Sequence, residues 1–364
     1  MTEHGLSWNS LVAFDNVAAG HEGVMSDASG SLIIKPCVAA EVEFYEVSNS
    51  AHPDFAQLMP NFMGSLQRGQ SKELQDHVTA SHSASRSAII LPAALDAEQD
   101  EKNSRDTDKA SDPLHGKKLD TELAIVLENV LAGFRKPNFV DVKLGKRLWA
   151  DDAPLAKRKK LDDVASETTS GSLGFRVAGM KIWHPEGPGE YEVFDKFYGR
   201  NLTPDNVKDA FSALLCLDQK TEDSDVIDDI ISNIEEAVGS IEQIVAKQES
   251  RMYSASLLFV YEGDPQARKQ AIDMAVAQTT LPVADSVDVS QAAREEEEED
   301  EGSGGDDGDD GDDEQVEPKL FDIKMIDFAH ASWTPGQGPD ENMLAGIRNV
   351  RKVLNSLIKQ GSHS

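Results

Sequence analysis

Residues 137–145 read Pro-Asn-Phe-Val-Asp-Val-Lys-Leu-Gly, a short β-prone run that stops at a glycine. Alternation along a strand places Phe139, Asp141 and Lys143 on one face and Val140, Val142 and Leu144 on the other. The aliphatic row belongs in a core, which leaves an acid and an amine about 7 Å apart on the opposite side. A carboxylate can accept hydrogen bonds from ribose hydroxyls, and a nearby ammonium can neutralise phosphate charge. A surface Asp–Lys ladder would carry the same pattern, so the run needs company before it means chemistry.

That company lies at three other places. Residues 31–35, Ser-Leu-Ile-Ile-Lys, form a β-prone run ending in Lys35 before Pro36, and the helix-compatible residues 39–45 bring Glu41 and Glu43. A strand lysine followed by a helix glutamate is the arrangement with which protein kinases hold ATP phosphates. An exposed lysine beside a solvated helix is the alternative. Residues 320–325 form a strand that ends in Ile326-Asp327-Phe328. An aspartate at such a terminus, beside phosphates, can hold Mg²⁺ with waters completing the shell, although aspartate there is more often a turn former. The segment 151–164 carries Lys157-Arg158-Lys159-Lys160 after Pro154, with Lys157 and Lys160 sharing a face at i, i+3. Its composition also suits a nuclear-import patch.

Taken together, the spacing P-x-x-x-D-x-K-x-G at 137–145 resembles the signature of the inositol polyphosphate kinase family. Ser256-Leu257-Leu258, Ile326-Asp327-Phe328-Ala329-His330 and the helix start at 340–346 are similar to further landmarks of that family, in the same order. Residues 173–182 resemble its multikinase branch, as does the short connection 146–172, where trisphosphate 3-kinases carry a larger insertion. The resemblance implies an α+β, two-lobed, protein-kinase-like fold with ATP between the lobes. It implies a nucleotide-binding lobe over residues 1–130, a catalytic lobe over 131–364, and a short helical inositol-binding insertion at 151–164. It further implies that Lys35 and Glu41 serve the ATP phosphates and that Asp141 anchors the ribose. The backbone of Glu128 and Val130 would hold the adenine edge. Asp327 would hold Mg²⁺ and Lys143 would stand between the γ-phosphate and the acceptor. Lys157, Lys160 and His330 would contact the inositol phosphate. The activity implied is phosphoryl transfer from ATP to hydroxyls of inositol tris- and tetrakisphosphates. A hexakisphosphate kinase is the alternative inside the family, and a transcription-associated scaffold the alternative outside it. Arg200, in Tyr198-Gly199-Arg200, stays open between a structural and a substrate-facing role.

The elements that must position these groups are legible to different degrees. A chain of 364 residues permits one large domain or two lobes with long insertions. The stripe Val226, Ile230, Ile234, Val238, Ile241 and Val245 predicts a core-facing helix over 226–249. Residues 123–127 predict a buried strand running into a hinge, 252–261 a second strand, and 340–359 a terminal amphipathic helix capped by Asp340. Helices are also expected over 52–64 and, from Thr203-Pro204, over 205–217, with a turn at 168–172 and a strand at 89–91. Residues 66–87 and 96–119 read as polar surface insertions, and 265–317 as a disordered insert. Within it, residues 295–314 hold fourteen acids and no base, a solvated linker or a binding tail for basic proteins such as transcription factors.

Net charge of −31 argues against a general nucleic-acid binder, because phosphate backbones require a positive field. An anionic substrate would need a local basic pocket. Two cysteines, Cys37 and Cys216, suit small apolar filling and a reducing compartment rather than a disulfide framework. With no apolar run of ~18 residues, the expectation is a soluble chain without a membrane span, resident in nucleus and cytoplasm.

Overall fold

The computed structural model describes residues 11–14, 23–67, 121–186, 189–219, 223–280 and 318–358. Its first five strands are β1 (Val12–Ala13), β2 (Met25–Ser26), β3 (Leu32–Pro36), β4 (Phe62–Gln67) and β5 (Leu123–Glu128). They form one antiparallel sheet in the order β1-β2-β3-β5-β4, with α1 (Ala39–Ala51) and α2 (Pro53–Ala56) between β3 and β4. The later strands are β6 (Pro137–Leu144), β7 (Phe175–His184), β8 (Glu190–Phe194), β9 (Ser250–Met252), β10 (Ser256–Glu262), β11 (Phe321–Ile326) and β12 (Ala331–Trp333). Five of them form a second antiparallel sheet in the order β11-β10-β6-β7-β8, while β9 and β12 pair as a separate ribbon. Between β6 and β7 come α3 (Leu155–Ser166) and α4 (Thr169–Leu173). Between β8 and β9 come α5 (Lys196–Asn201), α6 (Lys208–Leu214) and α7 (Ser224–Val245). Helix α8 (Pro265–Thr280) follows β10, and α9 (Glu341–Asn355) follows β12. Each lobe thus centres on its own sheet, the α+β, protein-kinase-like class that the resemblance implied.

Strand β6 is the middle of the second sheet and is covered on both faces. Val140, Val142 and Leu144 enter the main core as alternation requires. On the other face Phe139 joins Val130, Leu131, Phe134 and Val260 in a smaller cluster under the link between the lobes. Asp141 is therefore 5% exposed, and the solvent-facing ladder is excluded. Ile230, Ile234, Val238, Ile241 and Val245 of α7 are buried, and the helix packs against α9. Ion pairs from Arg351 to Glu235 and Glu242, both 2.7 Å, flank that packing.

Several expected boundaries move. The helix expected over 52–64 ends with α2 at Ala56, because Pro60 cannot donate a helical hydrogen bond and Phe62 already pairs with Leu127 of β5. The helix expected over 205–217 starts at Lys208, since Asn206 Oδ1 takes the Thr203 amide at 2.7 Å and holds 203–207 as a turn. Residues 168–172 are not a simple turn: the Thr168 side chain caps α4 by accepting from the Ser170 amide, and Gly174 closes the helix at φ +71°. The strand expected over 252–261 is interrupted at Ser254, whose φ of +61° separates β9 from β10. The insert expected to be disordered over 265–317 opens with α8 instead. Asp264 Oδ1 accepts the Gln266 and Ala267 amides at 3.1 and 2.9 Å, and Pro265 stands in the first turn. Residues 281–317, including the acidic tract, lie outside the described residues. So do 68–120, which hold most of the two polar insertions and the strand expected at 89–91.

Three glycines meet where β6 ends. Gly145 donates its amide to the Gly174 carbonyl at 2.7 Å, and a Cβ on Gly346 of α9 would lie 2.3 Å from that same oxygen. In an open helix, Gly→Ala gains about 1 kcal/mol. Here Gly346→Ala is expected to cost roughly 1–3 kcal/mol by overpacking against backbone. A lower urea midpoint with unchanged m-value is the expected measurement.

Candidate active site

The site assembles where side chains from both sheets meet. Lys35, on β3, is placed by its strand register opposite Ile125 of β5. Its ammonium lies 2.8 Å from Glu41 Oε1 on α1 and 2.7 Å from Asp327 Oδ1, just beyond β11. Burial alone would lower the Lys35 pKa, but Asp327 and then Glu41 outweigh it and hold the group well above the ordinary lysine range. Glu41 is 1% exposed and also accepts the Phe328 amide at 3.2 Å, whereas Glu43 is exposed. One carboxylate thus ties the lysine to the backbone that follows Asp327.

The backbone at Asp327 has φ +68°, a left-handed conformation that aspartate tolerates better than most residues. Phe328 anchors it: this ring is fully buried, stacks on Phe44 of α1 at 5.0 Å, and meets Tyr45 and Phe55 edge-on at 5.5 and 6.1 Å. Burial pushes the Tyr45 hydroxyl well above the usual phenol range.

From β6, Lys143 approaches the other side of the same carboxylate, its ammonium 3.8 Å from Asp327 Oδ2. It donates to the Ser254 carbonyl at 2.8 Å, and Ser254 Oγ in turn donates to the Leu148 carbonyl at 2.9 Å. The turn after β6 is clamped by Asn342 of α9. Its Oδ1 accepts the Lys146 and Arg147 amides, both at 2.9 Å, and its amide group donates to the Arg147 carbonyl at 3.0 Å. Asp141, two residues before Lys143, has a raised pKa. Burial is the chief cause, opposed by Lys143 and reinforced by Asp327. Its Oδ1 is buried with no hydrogen-bond partner.

The remaining expected residues fall into two groups. Lys157 of α3 reaches His330, Nζ to Nε2 at 3.3 Å, and burial together with the Lys157 charge lowers the His330 pKa. Lys160, a turn further along α3, is exposed and makes no ion pair among the described residues. Glu128 closes β5, accepts from Asn61 Nδ2 and lies 3.9 Å from Lys324. Val130 is buried in the apolar cluster with Phe139, so the backbone between them skirts a nonpolar floor. Arg200 is exposed, with its guanidinium 5.8 Å from the Phe197 ring centroid, and makes no contact with Asp327 or Lys143 among the described residues. Sequence reasoning missed Ser254 and Asn342, whose parts here depend on backbone groups distant in sequence.

Among the described residues, no group of three or more His, Cys, Asp or Glu could by itself enclose a metal. The donor set instead offers Asp327 with Asp141 nearby. That fits a hard divalent cation that takes one or two carboxylates and completes its shell with phosphate and water oxygens. Within this constellation, Glu41→Ala strips Lys35 of one counter-charge and the Phe328 amide of its acceptor. It is expected to cost about 3–5 kcal/mol, the scale for breaking a buried pair, and Glu41→Gln distinctly less. Urea unfolding of both variants checks the order.

Comparison with known proteins gives the arrangement its relatives. The model of the family described as inositol polyphosphate kinase matches residues 124–355. An inositol polyphosphate multikinase of Saccharomyces cerevisiae is 32% identical, covering 95% of this chain and 98% of its own. One from Schizosaccharomyces pombe is 29% identical over 96% and 98%. The mouse inositol hexakisphosphate kinase 1 is 27% identical but covers only 64% of this chain and 51% of its own. The crystal structure of a multikinase from S. cerevisiae in complex with ADP and Mn²⁺ superposes with a TM-score of 0.57 at 25% identity, covering 91% of this chain and all of that one. The chain belongs to the inositol polyphosphate kinase family.

Proposed function

We propose that this kinase is an inositol polyphosphate multikinase, a phosphotransferase that moves the γ-phosphoryl group of ATP to hydroxyls of inositol tris- and tetrakisphosphates. One observation carries the mechanism: Lys35, Glu41, Asp327 and Lys143 form an unbroken series of charged contacts across both lobes. Full-length likeness to multikinases, against partial likeness to a hexakisphosphate kinase, supports the substrate class.

Lys35 is held in place by Glu41 and neutralises phosphate oxygens of the nucleotide. Asp141 anchors the ribose, and the backbone of Glu128 and Val130 borders the adenine site beside the Phe139 cluster. Asp327 would hold Mg²⁺, with Asp141 nearby. When bound, that ion supplies charge neutralisation on the transferring phosphoryl group. Lys143 is fixed through the Ser254 carbonyl and stabilises charge developing between donor and acceptor. Lys157, Lys160 and His330 line the acceptor side and address its phosphates. No side chain stands as a dedicated base among these residues, which suits a loose transition state governed by positioning.

Nuclear and cytoplasmic residence belongs to the same proposal, with the surface run Lys157-Arg158-Lys159-Lys160 as its support. Basic protein partners, transcription factors among them, are proposed for the acidic tract 295–314 from its charge alone. Residues 295–314 can be deleted to separate partner capture from turnover.

The test of the catalytic proposal is product chromatography with ATP, Mg²⁺ and defined tris-, tetrakis- and hexakisphosphates. Asp327→Asn, which keeps the backbone conformation accessible, and Lys143→Ala are each expected to lower kcat/KM on the trisphosphate by roughly 10²–10³-fold while remaining folded. Folded variants as fast as the parent would refute the site. Turnover of hexakisphosphate without trisphosphate would refute the substrate class.

A further inference from the structure

We infer that Asn129 is a positioning residue for the nucleotide base: it docks the hinge onto the turn between β2 and β3 and so sets the direction of the hinge's base-binding groups. Asn129 lies between Glu128 and Val130, in the link that follows β5. Its side chain uses both ends of the amide. Nδ2 donates to the Gly30 carbonyl at 2.7 Å, and Oδ1 accepts the Leu131 amide at 3.1 Å. A carbonyl can only accept and a backbone amide can only donate, so these partners fix which way the side chain points. The backbone of Asn129 is engaged as well. Its amide donates to the Ser31 carbonyl and its carbonyl accepts the Ala132 amide, both at 2.8 Å.

The two base-binding groups belong to the same two peptide units that these bonds hold. In a planar trans peptide the carbonyl and the following N–H point in opposite directions. With the Asn129 amide turned to Ser31, the Glu128 carbonyl faces away from β3. With the Asn129 carbonyl turned to Ala132, the Val130 amide faces the other way, and among the described residues it has no acceptor. An acceptor and a donor so fixed match the edge of adenine, whose exocyclic amine donates and whose N1 accepts. Guanine presents the reverse pattern there. The turn that receives Asn129 is itself stiff: Gly30 has φ +75°, its amide donates to the Asp27 carbonyl at 3.1 Å, and Asp27 Oδ1 accepts the Leu32 amide at 2.8 Å. Strand β3 starts at Leu32 and carries Lys35, so base edge and phosphate lysine are registered through one strand.

The inference rests on the proposed adenine site and is tested separately from it. Steady-state assays of the full chain on the trisphosphate compare ATP with GTP, and calorimetric titration with each nucleotide and Mg²⁺ gives Kd. Asn129→Ala is expected to raise the ATP KM and Kd on the order of tenfold, the scale of a lost hydrogen-bond pair, with kcat at saturating ATP within about twofold. The GTP values should hardly move, so the preference for ATP falls by the same factor. Asn129→Asp keeps an acceptor for the Leu131 amide but cannot donate to the Gly30 carbonyl. It should lose at least about threefold, and this isosteric change keeps the test intact should Asn129→Ala not fold. A purely structural role would lower the active fraction and leave the ratio of ATP to GTP kcat/KM where it was. An ATP preference retained in the folded variants overturns the inference. So does a loss shared equally by the two nucleotides, or full retention in Asn129→Asp, which would make the tie to Gly30 idle. A parent chain that uses ATP and GTP alike would refute the adenine edge itself, and this inference with it.

Discussion

The ammonium of Lys35, held between Glu41 and Asp327, is the contact on which the rest of the molecule depends. Each of its three members arrives from a different place: a strand of the first sheet, the helix beside it, and the end of the last strand of the second sheet. An isolated buried ion pair does not make a protein stable, because desolvation can consume what attraction returns. Its worth here is geometric. With Glu41 bound both to Lys35 and to the Phe328 amide, α1 cannot shift without disturbing Asp327. The lobes are thereby registered at the one place where a nucleotide and its metal would need them aligned.

Holding that contact needs stiff surroundings, and the aromatic cluster provides them. Asp327 sits in a left-handed conformation, which costs of order 1–3 kcal/mol for a residue with a side chain. Phe328 offsets this by filling the space among Phe44, Tyr45 and Phe55, while Trp333 stacks on Phe44 at 5.2 Å and on His52 at 3.5 Å. The same helix thus offers Glu41 on one turn and the rings of Phe44 and Tyr45 on the next, i+3 and i+4 being neighbours on a helix surface. Lys143 is fixed by different means: polar clamps at Ser254 and Asn342 and a glycine junction that leaves backbone in contact with backbone. Lys35 and its partners are packed into place, and Lys143 is hydrogen-bonded into place.

Much of this was legible in the sequence wherever a short period or a fixed spacing carried it. The α7 stripe, the β6 alternation and the order of the Asp-x-Lys and Ile-Asp-Phe landmarks all survive in the structure. The choice of Glu41 over Glu43 was also within reach, since only the former lies one turn before Tyr45 and two before Ser48 on the buried stripe. What could not be read depends on partners distant in the chain. Ser254 looks like a strand residue until its carbonyl is seen to receive Lys143, and Asn342 looks like an ordinary first-turn residue until it captures two amides nearly 200 positions away. The helix α8 was missed for another reason: Asp264-Pro265 is a sound helix start, but the low-complexity composition downstream outweighed it.

An acidic chain that takes a polyanionic substrate poses a last problem, and screening resolves it. At physiological ionic strength charges further than about 8 Å are largely hidden from one another, so most of the −31 does not reach an incoming phosphate. What matters is the sign of the last few ångströms. There α3 offers exposed amines, with Lys143 less exposed beside Asp327. His330 belongs to this boundary as well. Its lowered pKa, set by burial and by Lys157, keeps the imidazole neutral near pH 7, so it can accept from Lys157 without adding a competing cation. The side chain beside the lysine then adds no charge of its own to the exposed amines of α3. Local arrangement, and not overall charge, is what would make the cleft attractive to phosphate.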